Sequence, residues 1–398
     1  MPNGKWHSAW LLPWGMFTTM APGYASEVVP LVLRSCLETW VVCCWGIGQF
    51  FSYAVLFSLN KRTDEWAYRI PFAVQWIWPV VIFPIALFCP ESLWWLIRKG
   101  RLDEAERFVR RLASTENEGL ADGQTKKTVA LMFETNRLDK EMTQGTSYLS
   151  CFKGTNLWRT EISAVAWAIQ VTSGYVIQGY ATYFFEQAEL SSNDAFRMTL
   201  GIGGIHLVSN LASAALSGNY GRRTLFCIGL SVLSCLMFLI GILALPYQTQ
   251  AYGYAESAVY LVWFAVWCLT LGPLPYIING EVSSTGLCSK TIAIARGTYV
   301  VISISGSIAA PYILNSEEGN WKGKTGFLTG GLTVISLIWA YFRLPETRGR
   351  TFEELDVLFA EKHITARNFS NAAITRDGDL IRVTGPHVED NEHAVPEI

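Results

Sequence analysis

Long apolar blocks set the pattern of this chain, broken by short charged or turn-forming stretches. Nine blocks of about membrane-crossing length lie roughly at 8–27, 36–59, 67–89, 161–186, 195–218, 222–245, 256–279, 291–314 and 322–344. A helix needs about 20 mainly apolar residues to cross a bilayer core, so the pattern predicts nine transmembrane helices. A large soluble helical protein would need polar helix faces that these blocks lack. Between the third and fourth blocks the period changes. "RLDEAERFVRRLAS" places Leu102, Ala105, Phe108, Val109 and Leu112 at helical spacing, and "TVALMFETNRLDKEM" continues in that style, which predicts a packed helical subdomain outside the membrane. After Phe359 the chain turns polar, and "ITRDGDLIRVTGPHVEDNEHAVPEI" reads as a disordered tail in which His387 and His393 are incidental.

Lysine and arginine in the connections orient the bundle. Arg98, Lys99, Arg101, Arg107, Arg110 and Arg111 follow the third block, Arg222 and Arg223 the fifth, Lys290 and Arg296 the seventh, and Arg348 and Arg350 the ninth. All fall on one side, expected to be cytoplasmic, while "EQAELSSND" and "NSEEGN" fall on the other and are acidic. "NKRTDEWAYR" goes against this rule by placing three basic residues outside.

Composition agrees with a membrane protein: of 398 residues 51% are hydrophobic and 16% charged, and the mean hydropathy is +0.24. A net charge of -2 gives no basic footprint for nucleic acid. Nine cysteines, among them Cys43, Cys44, Cys227, Cys235 and Cys268 inside apolar blocks, have neither metal-site spacing nor the density of a disulfide framework. No nucleophile-base pairing, phosphate loop or ligand spacing points to an enzyme, a cofactor or a metal. The start "MPNGKWHSAW" does not read as a signal peptide.

Three stretches at block ends carry acids beside arginines: "PESLWWLIRKGR", "GRR" at 221–223 and "LPETRGRTFEELD". In this order and at these boundaries they resemble the sugar porter family of the major facilitator superfamily, from about Leu11 to Phe359. "PWGMFTTMAPGYASEV", "WGIGQ", "GYATYFFEQA", "GPLPY", "SKTIAIARGTY" and "GKTGFLTGGL" are most similar to fungal α-glucoside (maltose-type) permeases. The resemblance implies an all-α polytopic fold in which two six-helix halves rock around a central sugar site. It implies α-glucoside:proton symport at the plasma membrane, with a sugar, a coupling proton and the lipid bilayer as partners. The other reading is a non-transporting remnant or a sugar-sensing relative. In the family, the pattern kept by "YASEVVPLVLRS" closes the fourth helix, so the fold is expected to be N-terminally incomplete, with about nine helices of twelve. His7 then stands where the fourth helix carries an arginine, and these residues alone are not expected to sustain proton-driven uptake. The expected parts are a partial N-terminal bundle (1–97), a cytoplasmic helical linker (98–157), a C-terminal six-helix bundle (158–345), and a cytoplasmic motif with the tail (346–398).

The same resemblance implies a gating network on the cytoplasmic side made of Glu27, Arg34, Glu91, Arg222, Arg223, Glu281, Glu346 and Arg348. Sugars are held by amide side chains that donate and accept hydrogen bonds, and by aromatic rings on their apolar faces. "QVTSGYVIQGYATYFF" keeps the family's Gln170, Gly174 and Tyr180, but Val42, Val171, Val176 and Val300 replace amides. Gln49, Gln178, Tyr175, His206 and Tyr276 are the groups that could rebuild a polar lining. Gln49 reads equally as a ligand contact or an interhelical hydrogen bond, Gln178 rather as the latter, and His206 as ligand or packing residue. Further departures are Gly218 and Asn219 before "GRR", Gly286 and Cys288 after Glu281, and "PESLWW" itself.

Overall fold

The computed structural model describes residues 31–88, 91–112, 118–143, 147–188, 190–246, 249–283, 287–315, 319, 321–348, 355, 358–359, 372–374 and 380–382, with side chains in the first helix from Cys43 onward. The first expected span, at 8–27, lies outside them. The second is helix α1, Leu31–Leu59. The third is two helices, α2 (Trp66–Val74) and α3 (Ile77–Phe88), each with an internal proline, Pro71 and Pro84. Both helices run on through those prolines, and the interruption falls at Gln75 and Trp76, where Pro79 has no N–H for the Gln75 carbonyl. No residue of α2 or α3 is buried, and Phe72, Trp76, Phe83 and Phe88 are exposed, as suits a surface turned to lipid.

Helices α4 (Leu93–Arg98), α5 (Leu102–Leu112) and α6 (Glu118–Thr143) form the polar linker. Leu93, Leu96, Ile97, Ala105, Phe108 and Val129 close a small core of their own, with Leu102, Val109 and Met132 packed against it. This is the apolar face that the helical spacing announced.

The larger bundle begins with α7 (Thr155–Gln170) and continues through a π-turn (Val171–Tyr175), α8 (Val176–Gln178) and α9 (Ala181–Gln187). Then follow α10 (Ser192–Asn219), α11 (Arg222–Leu243), α12 (Gln250–Leu269), α13 (Leu274–Val282), α14 (Cys288–Leu314) and α15 (Thr325–Arg343). Two spans expected as single helices, at 161–186 and 256–279, are therefore broken. Among the described residues five helical stretches are long and apolar enough to cross a membrane: Trp66–Phe88, Arg222–Leu243, Gln250–Val282, Cys288–Leu314 and Lys322–Arg343. Their core is aromatic, with Tyr260 stacked on Trp263 at 5.3 Å and Phe264 on Trp267 at 6.2 Å. Helix α1 packs against α10 so closely that a Cβ on Gly203 would lie 2.9 Å from the Phe50 Cα. This contact joins α1 to the larger bundle and fixes the polar groups that the two helices carry.

The tail departs from the expectation of disorder at one place. Strands β1 (Ala372–Ile374) and β2 (Leu380–Arg382) pair antiparallel, with Ala372 opposite Arg382 and Ile374 opposite Leu380. In the sequence, short apolar runs flank "RDGD", whose Asp-Gly pair is a hairpin signal inside a polar context.

Candidate functional site

The two helix breaks face each other. At Gly174 the backbone reaches φ 113°, in the left-handed region, and a Cβ there would lie 2.6 Å from the Met237 Cε and 2.8 Å from a Trp263 ring carbon. Only glycine meets both conditions. Across from it, α12 ends and α13 begins around "LGPLP". Pro275 has no N–H for the Leu271 carbonyl, and the Tyr276 N–H goes to the Pro273 carbonyl, leaving Gly272 without its helical donor. The buried Gln170 supplies the missing donors, its side-chain amide reaching the Gly272 oxygen at 2.7 Å and the Leu271 oxygen at 3.4 Å. In return, the Gln170 carbonyl accepts from the Trp267 indole at 3.3 Å and the Ser173 hydroxyl at 3.3 Å.

A polar cluster runs from α1 into this bundle. The Gln49 amide donates to the Tyr53 hydroxyl at 2.8 Å, and its carbonyl oxygen meets the His206 Nδ1 on α10. The Gln178 amide reaches the same Tyr53 hydroxyl at 3.2 Å. One continuous chain of hydrogen bonds thus links α1, α8 and α10, and both glutamines that could rebuild the lining lie in it. The Tyr180 hydroxyl donates to the Ser307 carbonyl on α14 at 3.0 Å. Tyr276 is half exposed and sits edge-on to Trp167 at 4.5 Å.

Arg296, counted with the cytoplasmic charges in the sequence, lies among aromatic rings. It lies about two turns into α14, with its guanidinium 4.4 Å from the Trp167 ring centre and 5.6 Å from those of Tyr276 and Tyr299. No ion pair to it occurs among the described residues. Tyr53, Trp167, Tyr299 and Arg296 are the members of this region that the sequence reading did not single out. The spacing of Gln49 and Tyr53, four residues apart on one helix, was the signal available for the first. The valines fall on both kinds of surface: Val171 is buried and Val300 is half exposed, whereas the side chains of Val42 and Val176 lie outside the described residues.

At the opposite end of α11 the expected gating residues of this half meet. Arg222 donates to the Glu281 Oε1 from Nε at 3.0 Å and from Nη2 at 2.8 Å, while the Thr347 hydroxyl donates to the other oxygen of Glu281. The Arg222 backbone N–H, unsatisfied within the helix because it opens α11, donates to the Glu346 Oε1 at 2.8 Å. Arg348 reaches the Asn219 carbonyl at 2.7 Å. Arg223 turns away to the Tyr341 carbonyl at 2.8 Å. Glu91 is exposed just ahead of α4, Glu27 lies outside the described residues, and for Arg34 only the helical backbone is described.

A family of proteins described as "Sugar (and other) transporter" matches residues 11–359. The chain belongs to the sugar transporter family. It is an integral membrane protein, and its family consists of transporters rather than enzymes. The general alpha-glucoside permease of Saccharomyces cerevisiae is 35% identical over 367 residues, covering 91% of this chain and 59% of that protein. The alpha-glucosides permease MPH3 of the same organism is 35% identical over 387 residues, covering 96% and 63%, and the maltose permease MAL31 35% identical over 369 residues, covering 91% and 59%. This chain thus spans about 59% of the length of the first of these relatives. Among solved structures, the xylose transporter XylE from E. coli in a partially occluded inward-open conformation has a TM-score of 0.68 at 20% identity, covering 84% of this chain and 69% of that one. The proton:xylose symporter XylE bound to 6-bromo-6-deoxy-D-glucose gives 0.66 at 23% identity, covering 85% and 70%. At that identity the likeness shows the fold of this chain, the major facilitator fold.

Proposed function

We propose that this protein carries α-glucosides of the maltose type across the plasma membrane by alternating access, coupled to a proton. The observation that supports this most is the hydrogen-bonded chain Gln178–Tyr53–Gln49–His206, which crosses from α1 to α10 where the two halves of a carrier face one another. Such groups interconvert donor and acceptor partners at little cost, so sugar hydroxyls can enter the chain in place of its internal bonds. Gln170, with its amide nitrogen engaged, offers its remaining carbonyl oxygen, and Tyr276 offers an open ring face beside Trp167. The Arg222–Glu281–Glu346 cluster holds the other end of the larger bundle together while the cavity is open outward. Orientation follows the basic residues, with the Arg222 end in the cytoplasm.

The test uses radiolabelled maltose in yeast lacking its own α-glucoside permeases, with surface expression verified. The coding sequence is joined to the part of the general alpha-glucoside permease upstream of the stretch matching residues 24–35. Saturable, uncoupler-sensitive uptake that falls with Gln49→Ala is expected. Buried Val171 and half-exposed Val300, at positions where the family carries amides, favour a second reading, a relative that binds sugar without moving it. Maltose binding by a surface-expressed protein that shows no uptake would select that reading.

A further inference from the structure

The acid and arginine motif that follows α15 is gripped on both sides by the first two turns of α7. Ahead of the motif, Glu161 on α7 accepts from the Trp339 indole at 3.1 Å and from Nε of Arg343, the last residue of α15, at 3.0 Å, while its second oxygen receives the Arg343 Nη2. Behind the motif, the buried Arg159 donates from Nη2 to the Leu355 carbonyl at 3.3 Å and lays its guanidinium 4.5 Å from the Phe359 ring centre. Trp158 joins the two grips, meeting Phe359 edge-on at 5.0 Å and the Arg343 guanidinium at 5.7 Å. Leu355, Leu358 and Phe359 are buried in the core of the larger bundle. In the chain between the grips stand Glu346, Thr347 and Arg348, whose bonds to Arg222, Glu281 and Asn219 make up the Arg222 cluster. The other end of α7 is Gln170, about 14 Å along the helix from Glu161. Trp158, Arg159, Glu161 and Arg343 are not among the gating residues that the family resemblance implies.

Resting on the sugar-carrier reading of Gln170 and of the Arg222 cluster, we propose that Arg159 and Glu161 are positioning residues that make α7 the link between the two, so that sugar held at the Gln170 end steadies Glu346 on Arg222. Helix α7 is unbroken from Thr155 to Gln170, and the break follows only after it. A rigid helix passes a change in the seat of one end to the other, and here the receiving end grips a single segment at two points. The Glu161–Arg343 pair alone would fasten α7 to α15, and the Arg159–Phe359 stack alone would fasten the chain beyond the motif. With Glu346, Thr347 and Arg348 between them, the two together join α7 to the cluster.

The experiment follows hydrogen exchange of the amides at 222–225 in the full chain in lipid nanodiscs, with and without saturating maltose, and measures maltose affinity of the same samples by calorimetry. In the parent, maltose is expected to slow that exchange several-fold. In Glu161→Ala, and in Phe359→Leu, which keeps buried apolar bulk but removes the ring under Arg159, maltose should still bind within a few-fold of the parent while the slowing is lost. Arg343→Lys, which keeps a cation for Glu161, should retain it. A role in stability alone would lower the unfolding temperature of the variants and leave the slowing intact. Should Glu161→Ala fail to fold, Arg343→Ala, on the more exposed side of the pair, removes the same grip. Slowing that persists in both Phe359→Leu and the variant that removes the Glu161 grip, or maltose bound to the parent without any slowing, would overturn the proposal. A parent that binds no maltose would overturn the sugar-carrier reading and this proposal with it.

Discussion

The side-chain amide of Gln170 donates to the Gly272 carbonyl at 2.7 Å, so that one glutamine joins the break in α7–α9 to the break between α12 and α13. Both breaks expose backbone groups inside a membrane bundle, where water cannot satisfy them. Gln170 and Trp267 satisfy them mutually: the amide serves the Leu271 and Gly272 carbonyls, and the indole serves the Gln170 carbonyl. A residue the family resemblance assigns to the sugar is thus also a structural clasp.

Replacing it tests that dual position. Gln170→Ala leaves buried carbonyls without a donor, at a cost of about 1–3 kcal/mol. The variant should unfold at lower temperature than the parent in nanodiscs, with or without maltose. Unchanged thermal stability would mean that the clasp contributes nothing.

Gly174 allows a second check on the same break. Alanine there would bear a left-handed conformation and a contact at 2.6 Å with the Met237 Cε, together about 2–5 kcal/mol. In a Met237→Ala background the same Gly174→Ala change should cost less than in the parent, measured by the same thermal unfolding, because the Met237 contact is gone while the 2.8 Å contact with Trp263 and the left-handed backbone remain. An undiminished cost in that background would show that the Met237 contact plays no part.

How much of this was legible in the sequence varied with the physics. The extents of α10, α11 and α14 follow closely from unbroken apolar blocks, since lipid demands continuous apolar helix. The breaks did not show, because apolar residues flank them on both sides and hydropathy is blind to backbone direction. Gln170 was legible as a buried polar residue, but its partner is a carbonyl about one hundred positions away that becomes free only where Pro275 lacks an N–H. Arg296 was read only as one of the cytoplasmic basic residues, because counting arginines at helix ends cannot see the three rings that receive it. The acids and arginines of "GRR" and "LPETRGR" were found as a group, yet the use of Glu346 as a helix cap, and of Thr347 as a donor to Glu281, needed coordinates.

That cap yields a prediction of its own. Gly221 opens α11 without a side-chain cap, and the Glu346 carboxylate takes its place on the Arg222 N–H at 2.8 Å. Glu346→Ala should loosen the first turn by about 1 kcal/mol, the usual worth of a lost cap. Hydrogen exchange of the amides at 222–225 should speed up several-fold, with the far end of α11 unaffected. Unaltered exchange in that turn would remove Glu346 as the cap.

The orientation is tested by labelling intact cells. Lys126 on α6 and Ser191 before α10 are both exposed. An impermeant thiol reagent should modify Ser191→Cys and spare Lys126→Cys until the membrane is opened. The reverse pattern would invert the topology read from the basic residues.

The central claim is that the groups joined by the Gln49–His206 contact form a sugar site, and calorimetric titration of the purified chain with maltose, arranged as a double-mutant cycle, tests it most directly. The parent should bind saturably. Gln49→Ala and His206→Ala should each weaken binding, and the double variant should lose less than the sum of the two, with a coupling of about 0.5–1.5 kcal/mol. Absence of maltose binding by the parent, or binding unchanged in both single variants, would contradict the account.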